Sequence, residues 1–235
     1  MRTHTQSTSL PLAALISCLA LFAGCATSNP SIDTSPEAEV TFDGLHEVKG
    51  GRADKAWARP GVDISKYSKI KLQGAGIEYR PGGESGRTWS SRSSGGPYEV
   101  TEQQKTRLRE LVQEEFLEEL AKSEHFTLVN EAGPDVLLIR GAILDVVSYV
   151  PPDPIGRSEI YISQVGEATL VLELRDSITE AILARAVDRR AADSMGSIGL
   201  QESNRVTNTA EVRRLVRSWA RLLRERLDGY ATPEY

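Results

Sequence analysis

Apolar positions recur along this chain with two different periods. Leu108, Leu111, Val112, Phe116, Leu117 and Leu120 follow one another at steps of three, one and four, which draws one apolar stripe down a helix. Thr101 and Gln104 precede that stripe at capping-box spacing and set its start. Val212, Leu215, Val216, Trp219, Leu222, Leu223 and Leu227 draw a second stripe. Asn208 and Glu211 stand at N-cap and N3 spacing for this helix, and Gly229 is placed to end it.

Strand periodicity is found over Tyr67 to Tyr79, Phe126 to Val129, Val136 to Val150, Ile160 to Arg175 and Ile182 to Ala191. In the fourth of these, Ala168, Leu170, Leu172 and Leu174 alternate with Thr169, Glu173 and Arg175, so one face is apolar and the other polar. Gly133-Pro134, Pro151-Pro152-Asp153-Pro154 and Asp176 to Glu180 supply turn chemistry between them. The order is strand, helix, four strands, helix. One-sided helices and an alternating sheet predict an α+β fold: a two-layer sandwich with about five mixed or antiparallel strands and two helices packed on one face.

The helices carry opposite charges. Glu110, Glu114 and Glu118 stand at i, i+4, i+8 on the first, beside Glu115 and Glu119. Arg213, Arg217, Arg221 and Arg224 line the last, with Arg214 and Arg226 near them. Helices lying side by side would bring these stripes face to face. The alternative is that the arginines meet anionic lipid headgroups, as a basic amphipathic helix does.

The N-terminus has a different pattern. The first 24 residues hold no Asp or Glu, and Leu10 to Gly24 is a single apolar run of about 15 residues, short of the roughly 20 that cross a bilayer as a helix. That pattern predicts a signal peptide. Phe22-Ala23-Gly24-Cys25 resembles the lipobox of bacterial lipoproteins, which implies cleavage between Gly24 and Cys25 and acyl groups on Cys25. Leu15-Ile16-Ser17-Cys18 fits the same pattern, but it would leave Leu19 to Ala23 stranded at the start of the mature chain. Cys25 has the full run before it and polar Thr27, Ser28 and Asn29 after it. Acyl chains contribute about 0.8 kcal/mol per buried methylene, so several of them hold a protein on a membrane without a span. Ala26 follows the cysteine, and similarity to enterobacterial sorting rules then implies the outer membrane rather than the inner one.

The expected organisation is a leader over 1–24, a lipidated Cys25 with a flexible tether over 25–60, and an α+β domain over 61–230. A Gly/Ser-rich loop interrupts the domain at 80–97. Within 25–60, Val40-Thr41-Phe42 is the one short piece with ordered character. Exposed loops are the places for partner contacts, and Trp89, Tyr149, Pro151, Pro152 and Arg157 are the candidate residues.

Composition narrows the function. The chain of 235 residues has 28 Lys+Arg against 33 Asp+Glu, a formal net charge of -5, which argues against a nucleic-acid partner. Two Cys and three His leave too little for a thiol/imidazole metal site. Asp135, Asp145, Asp153 and Asp176 are scattered without EF-hand spacing, so no metal is expected. His46 and His125 have no nucleophile patterned around them, and neither a G-x-S-x-G nor a P-loop is present. No catalytic residue is predicted, and no cofactor beyond the acyl groups.

Pro60 to Tyr67, Gly133-Pro134-Asp135-Val136-Leu137, Gly166 to Leu170 with Leu174 to Ser177, Val187 to Arg190, and the closing Trp219-Ala220 with Leu223-Arg224 together resemble a bacterial lipoprotein family known as domain of unknown function 3313. The resemblance covers roughly residues 42 to 228. Its motifs are strand starts, a turn and a helix face, so it implies no catalytic residues. More distantly the element order is similar to lipoproteins with the fold of the TolB N-terminal domain. The expected function is a non-enzymatic envelope lipoprotein, a binding or assembly factor facing the periplasm with a protein partner. The alternatives are a carboxylate-dependent envelope hydrolase and a self-associating structural lipoprotein.

Overall fold

The computed structural model describes residues 30–81, 97–151, 161–193 and 201–231. The leader 1–24, the Gly24–Cys25 junction, Trp89, Pro152 and Arg157 lie outside the described residues. The elements are β1 (Ser31–Ile32), β2 (His46–Lys49), β3 (Lys55–Ala58), β4 (Lys69–Tyr79), α1 (Glu102–Leu120), β5 (Thr127–Leu128), β6 (Val136–Ser148), β7 (Tyr161–Ile162), β8 (Gln164–Asp176), β9 (Ile182–Asp193), β10 (Gln201–Glu202) and α2 (Arg205–Ala231).

The fold is α+β, with one large mixed sheet in the order β1-β2-β3-β9-β8-β6-β4-β5. A separate pair joins β7 to β10. The crossover through α1 makes β4 parallel to both β5 and β6, while the remaining pairs of the large sheet are antiparallel. Eight strands replace the expected five or so. The three additions, β1 to β3, fall in the segment 25–60 that was expected to be a tether. They are only two to four residues long (His46-Glu47-Val48-Lys49 and Lys55-Ala56-Trp57-Ala58 are the longer two), too short to establish a period. Backbone pairing with the edge of β9 holds them instead, and this segment also contributes the fully buried Leu45.

α1 starts where the capping box places it. Thr101 Oγ1 accepts from the Gln104 N–H, and Gln104 Oε1 accepts from the Thr101 N–H at 2.8 Å. α2 starts earlier than the sequence suggested. Asn204 Oδ1 accepts from the N–H groups of Val206 and Thr207, both at 3.0 Å, so Asn204 caps the helix and Asn208 lies inside it. Gly229 does not end the helix. Glycine permits a left-handed turn without imposing one, and the helix runs on to Ala231, which packs against the core.

Leu111, Phe116 and Leu120 of α1 and Val216, Trp219, Ala220 and Leu227 of α2 share one core with Ile70, Leu137, Ile139, Ile143, Ala168, Leu170, Leu172 and Leu183 of the strands. Alternation along β8 and β9 sends Glu167, Thr169, Glu173, Arg185 and Arg189 to the opposite side. The registers also define two ends of the sheet. The C-terminal ends of β4, β6 and β9 and the start of β8 meet at one end, which also receives the β2–β3 connection. The β8–β9 turn and the Thr41–Gly44 turn lie at the other.

Candidate functional site

The first of these ends carries a charged cluster on the face of the sheet opposite Ala168, Leu170 and Leu172. Register slips between Leu144 and Val147 where β6 pairs with β8, and Asp145 there adopts φ 54°, the left-handed conformation of a β-bulge. The bulge turns the Asp145 carboxylate toward two arginines. Arg80 Nε donates to Oδ1 at 2.6 Å, and Arg189 Nη1 donates to Oδ2 at 2.6 Å. Arg189 Nη2 also donates to Glu167 Oε1 at 2.6 Å, and the Tyr149 hydroxyl reaches the same oxygen at 3.3 Å. Hydrogen bonds from Arg80 first, and then from Arg189, hold the Asp145 carboxyl down at about 2. Burial and the neighbouring Glu167 push the Tyr149 phenol up. Both groups keep their ordinary charge at neutral pH, so the cluster acts as a fixed polar clamp.

The same clamp holds the roots of two candidate contact loops. The Arg80 N–H bonds Val146 O at 3.0 Å, Tyr98 N–H bonds Ser148 O at 2.8 Å, and Tyr149 N–H bonds Val165 O at 2.9 Å. The described residues that flank the Trp89 segment, and those that precede the Pro152–Arg157 segment, are therefore hydrogen-bonded at one corner. Of the five candidate contact residues, Tyr149 and Pro151 are described, both half-buried. From the sequence, Asp145 stands out only as one of four scattered aspartates, and Arg80, Glu167 and Arg189 carry no expected site role. An Asp inside the apolar run Val136–Val150 was the available signal, because strands seldom carry one except at a bulge.

A second charged arrangement joins the helices. Glu115, only 1% exposed, receives Arg217 Nε at 2.7 Å, and Arg213 Nε lies 2.9 Å away without hydrogen-bond geometry. Arg224 lies 3.7 Å from Glu119, which is also buried. The stripes do face each other, but Glu115 and Glu119 are the inward acids, while Glu114 and Glu118 sit at the rim 3.4 Å and 3.8 Å from Arg213 and Arg217. Burial pushes the Glu119 carboxyl up, and the opposing Lys122 and Arg224 more than offset it, leaving it lowered.

Asp135, Asp145 and Asp176 do not converge, and Asp153 lies outside the described residues. Asp135 pairs with Lys69 at 2.9 Å, and Asp176 accepts from Tyr67 at 2.8 Å and from the turn amides. His46 belongs to β2, with Nδ1 2.9 Å from Asp33 O. Among the described residues, no group of three or more metal-ligating side chains is found, and no helix is long and apolar enough to cross a membrane.

The model of the family described as "Protein of unknown function (DUF3313)" matches residues 35–223. The chain belongs to that family. No curated protein matches it in sequence. Among solved structures it is similar to the PelC dodecamer from Paraburkholderia phytofirmans, at 9% identity over 71% of this chain and 96% of that one, with a TM-score of 0.33. It is also similar to protein XCC0632 from Xanthomonas campestris, of family model DUF330, at 14% identity over 73% and 93%, with a TM-score of 0.35. Values this low transfer no activity, partner or assembly state to this DUF3313 protein.

Proposed function

We propose that this DUF3313 chain is a lipoprotein of the bacterial envelope, held by acyl groups on Cys25 at the periplasmic face of the outer membrane. There it serves as a non-enzymatic binding or assembly factor for an envelope protein. The observation that carries the proposal is the apolar run Leu10–Gly24 ending in Phe22-Ala23-Gly24-Cys25. The partner surface is the corner where the segments of Trp89 and of Pro151, Pro152 and Arg157 emerge beside Tyr149. Both helices then lie as one layer over one face of the sheet, supported by the core that Phe116 and Trp219 share with Leu170 and Leu172.

Mass spectrometry of the N-terminal peptide from membranes of cells expressing the full chain tests the anchor. Diacylglycerol on the Cys25 thiol and an acylated amine are expected. A free thiol, or a leader still attached, refutes the anchor. Crosslinking in intact envelopes from a photoreactive residue at position 89 tests the corner: one discrete adduct is expected there, and its loss in Pro151→Ala/Arg157→Ala ties it to the loops. Absence of any adduct from position 89 refutes a partner at this surface.

A further inference from the structure

Three arginines from three separate elements converge beside α2. Arg52 from the β2–β3 connection, Arg190 from β9 and Arg221 from α2 line one shallow depression with Ser218, Leu222 and Glu225. Arg190 is held from beneath. Its Nε lies 2.6 Å from Asp188 Oδ2 and its Nη1 donates to Ser218 Oγ at 3.2 Å, which leaves further N–H groups of the five a guanidinium carries to point outward. Arg221 is exposed and makes no ion pair among the described residues. Arg52 reaches Glu225 only loosely, at 3.6 Å, with both side chains well exposed. A pair that open in water is worth about 0–1 kcal/mol, so Arg52 is available to another anion at little cost.

We infer that the Arg52–Arg190–Arg221 depression is a binding site for a phosphate ester. Planar guanidinium forks match phosphate oxygens in pairs, and one arginine already fixed in place lowers the entropy lost when the other two close on the ligand. Two sources offer that chemistry: the headgroup of an anionic phospholipid and a soluble phosphate ester. The position of the site favours the headgroup. β1 enters the sheet with Ser31 opposite Lys49, and Arg52 follows three residues later in the chain. The six residue steps from Cys25 to Ser31 span no more than about 22 Å. An acylated Cys25 would therefore keep this end of the sheet within reach of the lipid surface. The site stands on its own geometry, and only the choice of source rests on the proposed anchor.

The test uses the chain starting at residue 26, which cannot be acylated at Cys25. It keeps the fold, because every described strand and helix starts at Ser31 or later and the buried core runs from Leu45 to Leu227. Co-sedimentation with phosphatidylglycerol and phosphatidylcholine vesicles at low salt is run alongside titration with sn-glycerol 3-phosphate. Binding to phosphatidylglycerol but not phosphatidylcholine is expected. Arg52→Gln/Arg221→Gln should weaken it by about tenfold or more, as the loss of charged hydrogen bonds implies. Glu225→Gln, which removes the competing carboxylate, should tighten it. Arg140→Gln alters an exposed arginine on a strand away from the depression and should leave binding unchanged, and thermal melts check that each variant is folded. Binding of glycerol phosphate without vesicle binding keeps the site and overturns the headgroup source. Failure to bind either probe overturns the site, as does an Arg140→Gln loss equal to that of the double variant. A bare Cys25 in the native protein would refute the anchor while leaving these results untouched.

Discussion

Trp219 of α2 donates its indole N–H to Asp188 Oδ2 of β9 across 2.7 Å, in a pair whose members are 2% and 6% exposed. The same carboxylate is ion-paired with Arg190, whose Nε lies 2.6 Å from Oδ2, and accepts the Asp54 N–H on Oδ1 at 3.2 Å. One buried acid thus ties the last helix, a central strand and the β2–β3 connection together. A large aromatic placed in a core needs a partner for its N–H, and a buried carboxylate needs donors on both oxygens. Each meets the other's requirement.

Trp219→Phe should therefore be costly beyond its small change in volume. It deletes the indole donor and leaves Asp188 a partner short in a dry setting, a loss of about 1–3 kcal/mol. Trp219→Ala should cost about 3–5 kcal/mol, because a cavity is added. Urea denaturation at neutral pH measures both. A Trp219→Phe midpoint equal to that of the parent would show that the hydrogen bond contributes nothing net.

The two halves of the helix–helix ion pair should not be equivalent. Glu115 is buried, whereas Arg213 and Arg217 are 43% and 45% exposed. Replacing Glu115 with Gln releases the arginines toward water at modest cost. Replacing both arginines with Ala strands a carboxylate in the interface, for which about 3–5 kcal/mol is the usual penalty. Denaturation midpoints should rank parent, then Glu115→Gln, then Arg213→Ala/Arg217→Ala, and the reverse order of the two variants would contradict the assigned burial.

Stability should fall in acid through Asp176. Its carboxylate accepts from the Thr179 and Ile178 amides and from the Tyr67 hydroxyl, and these bonds hold it at about 2 against an unfolded value near 4. Because the folded value is the lower one, the stabilisation is complete above about pH 4 and is lost as pH falls through about 2. Asp176→Ala should be less stable than the parent at pH 7, and the gap should close between pH 4 and pH 2. A gap that stays constant over that range would mean the carboxylate is not the source.

Gly166 faces the β6 bulge, where an added Cβ would lie 2.3 Å from Val147 O. Gly166→Ala must push two paired strands apart and should cost about 1–3 kcal/mol. Gly74 has nothing within 4 Å of such an atom, so Gly74→Ala should stay within about 0.5 kcal/mol of the parent. Thermal unfolding of the pair separates close approach from a general glycine effect.

Local relations along the chain were enough for several features. The capping box of Thr101 and Gln104, the alternation of Ala168, Leu170 and Leu172 and the turn at Asp176 depend on neighbours at most four residues away, and each is found where the spacing placed it. The apolar stripes of α1 and α2 are legible for the same reason, except that Leu117 of the first is exposed, as is the pairing of an acidic helix with a basic one. Other features have no local signature. β3 gains its structure from pairing onto β9, about 130 residues later in the chain, and β2 from pairing onto β3, and both are too short to carry a periodic signal. Asn204 rather than Asn208 caps α2 because backbone geometry selects among several residues of equal capping chemistry. The rotation of α1 against α2 decides that Glu115 is buried and Glu114 is not, although the two are adjacent. At the candidate corner, Asp145, Glu167 and Arg189 come from three strands, and Arg52, Arg190 and Arg221 likewise from three elements. The chain by itself determined the two helices and the long strands β4, β6, β8 and β9, since periodicity is a short-range property. Only the tertiary structure decided which charged side chains meet, because strand register and helix rotation are set by the packing of the whole core.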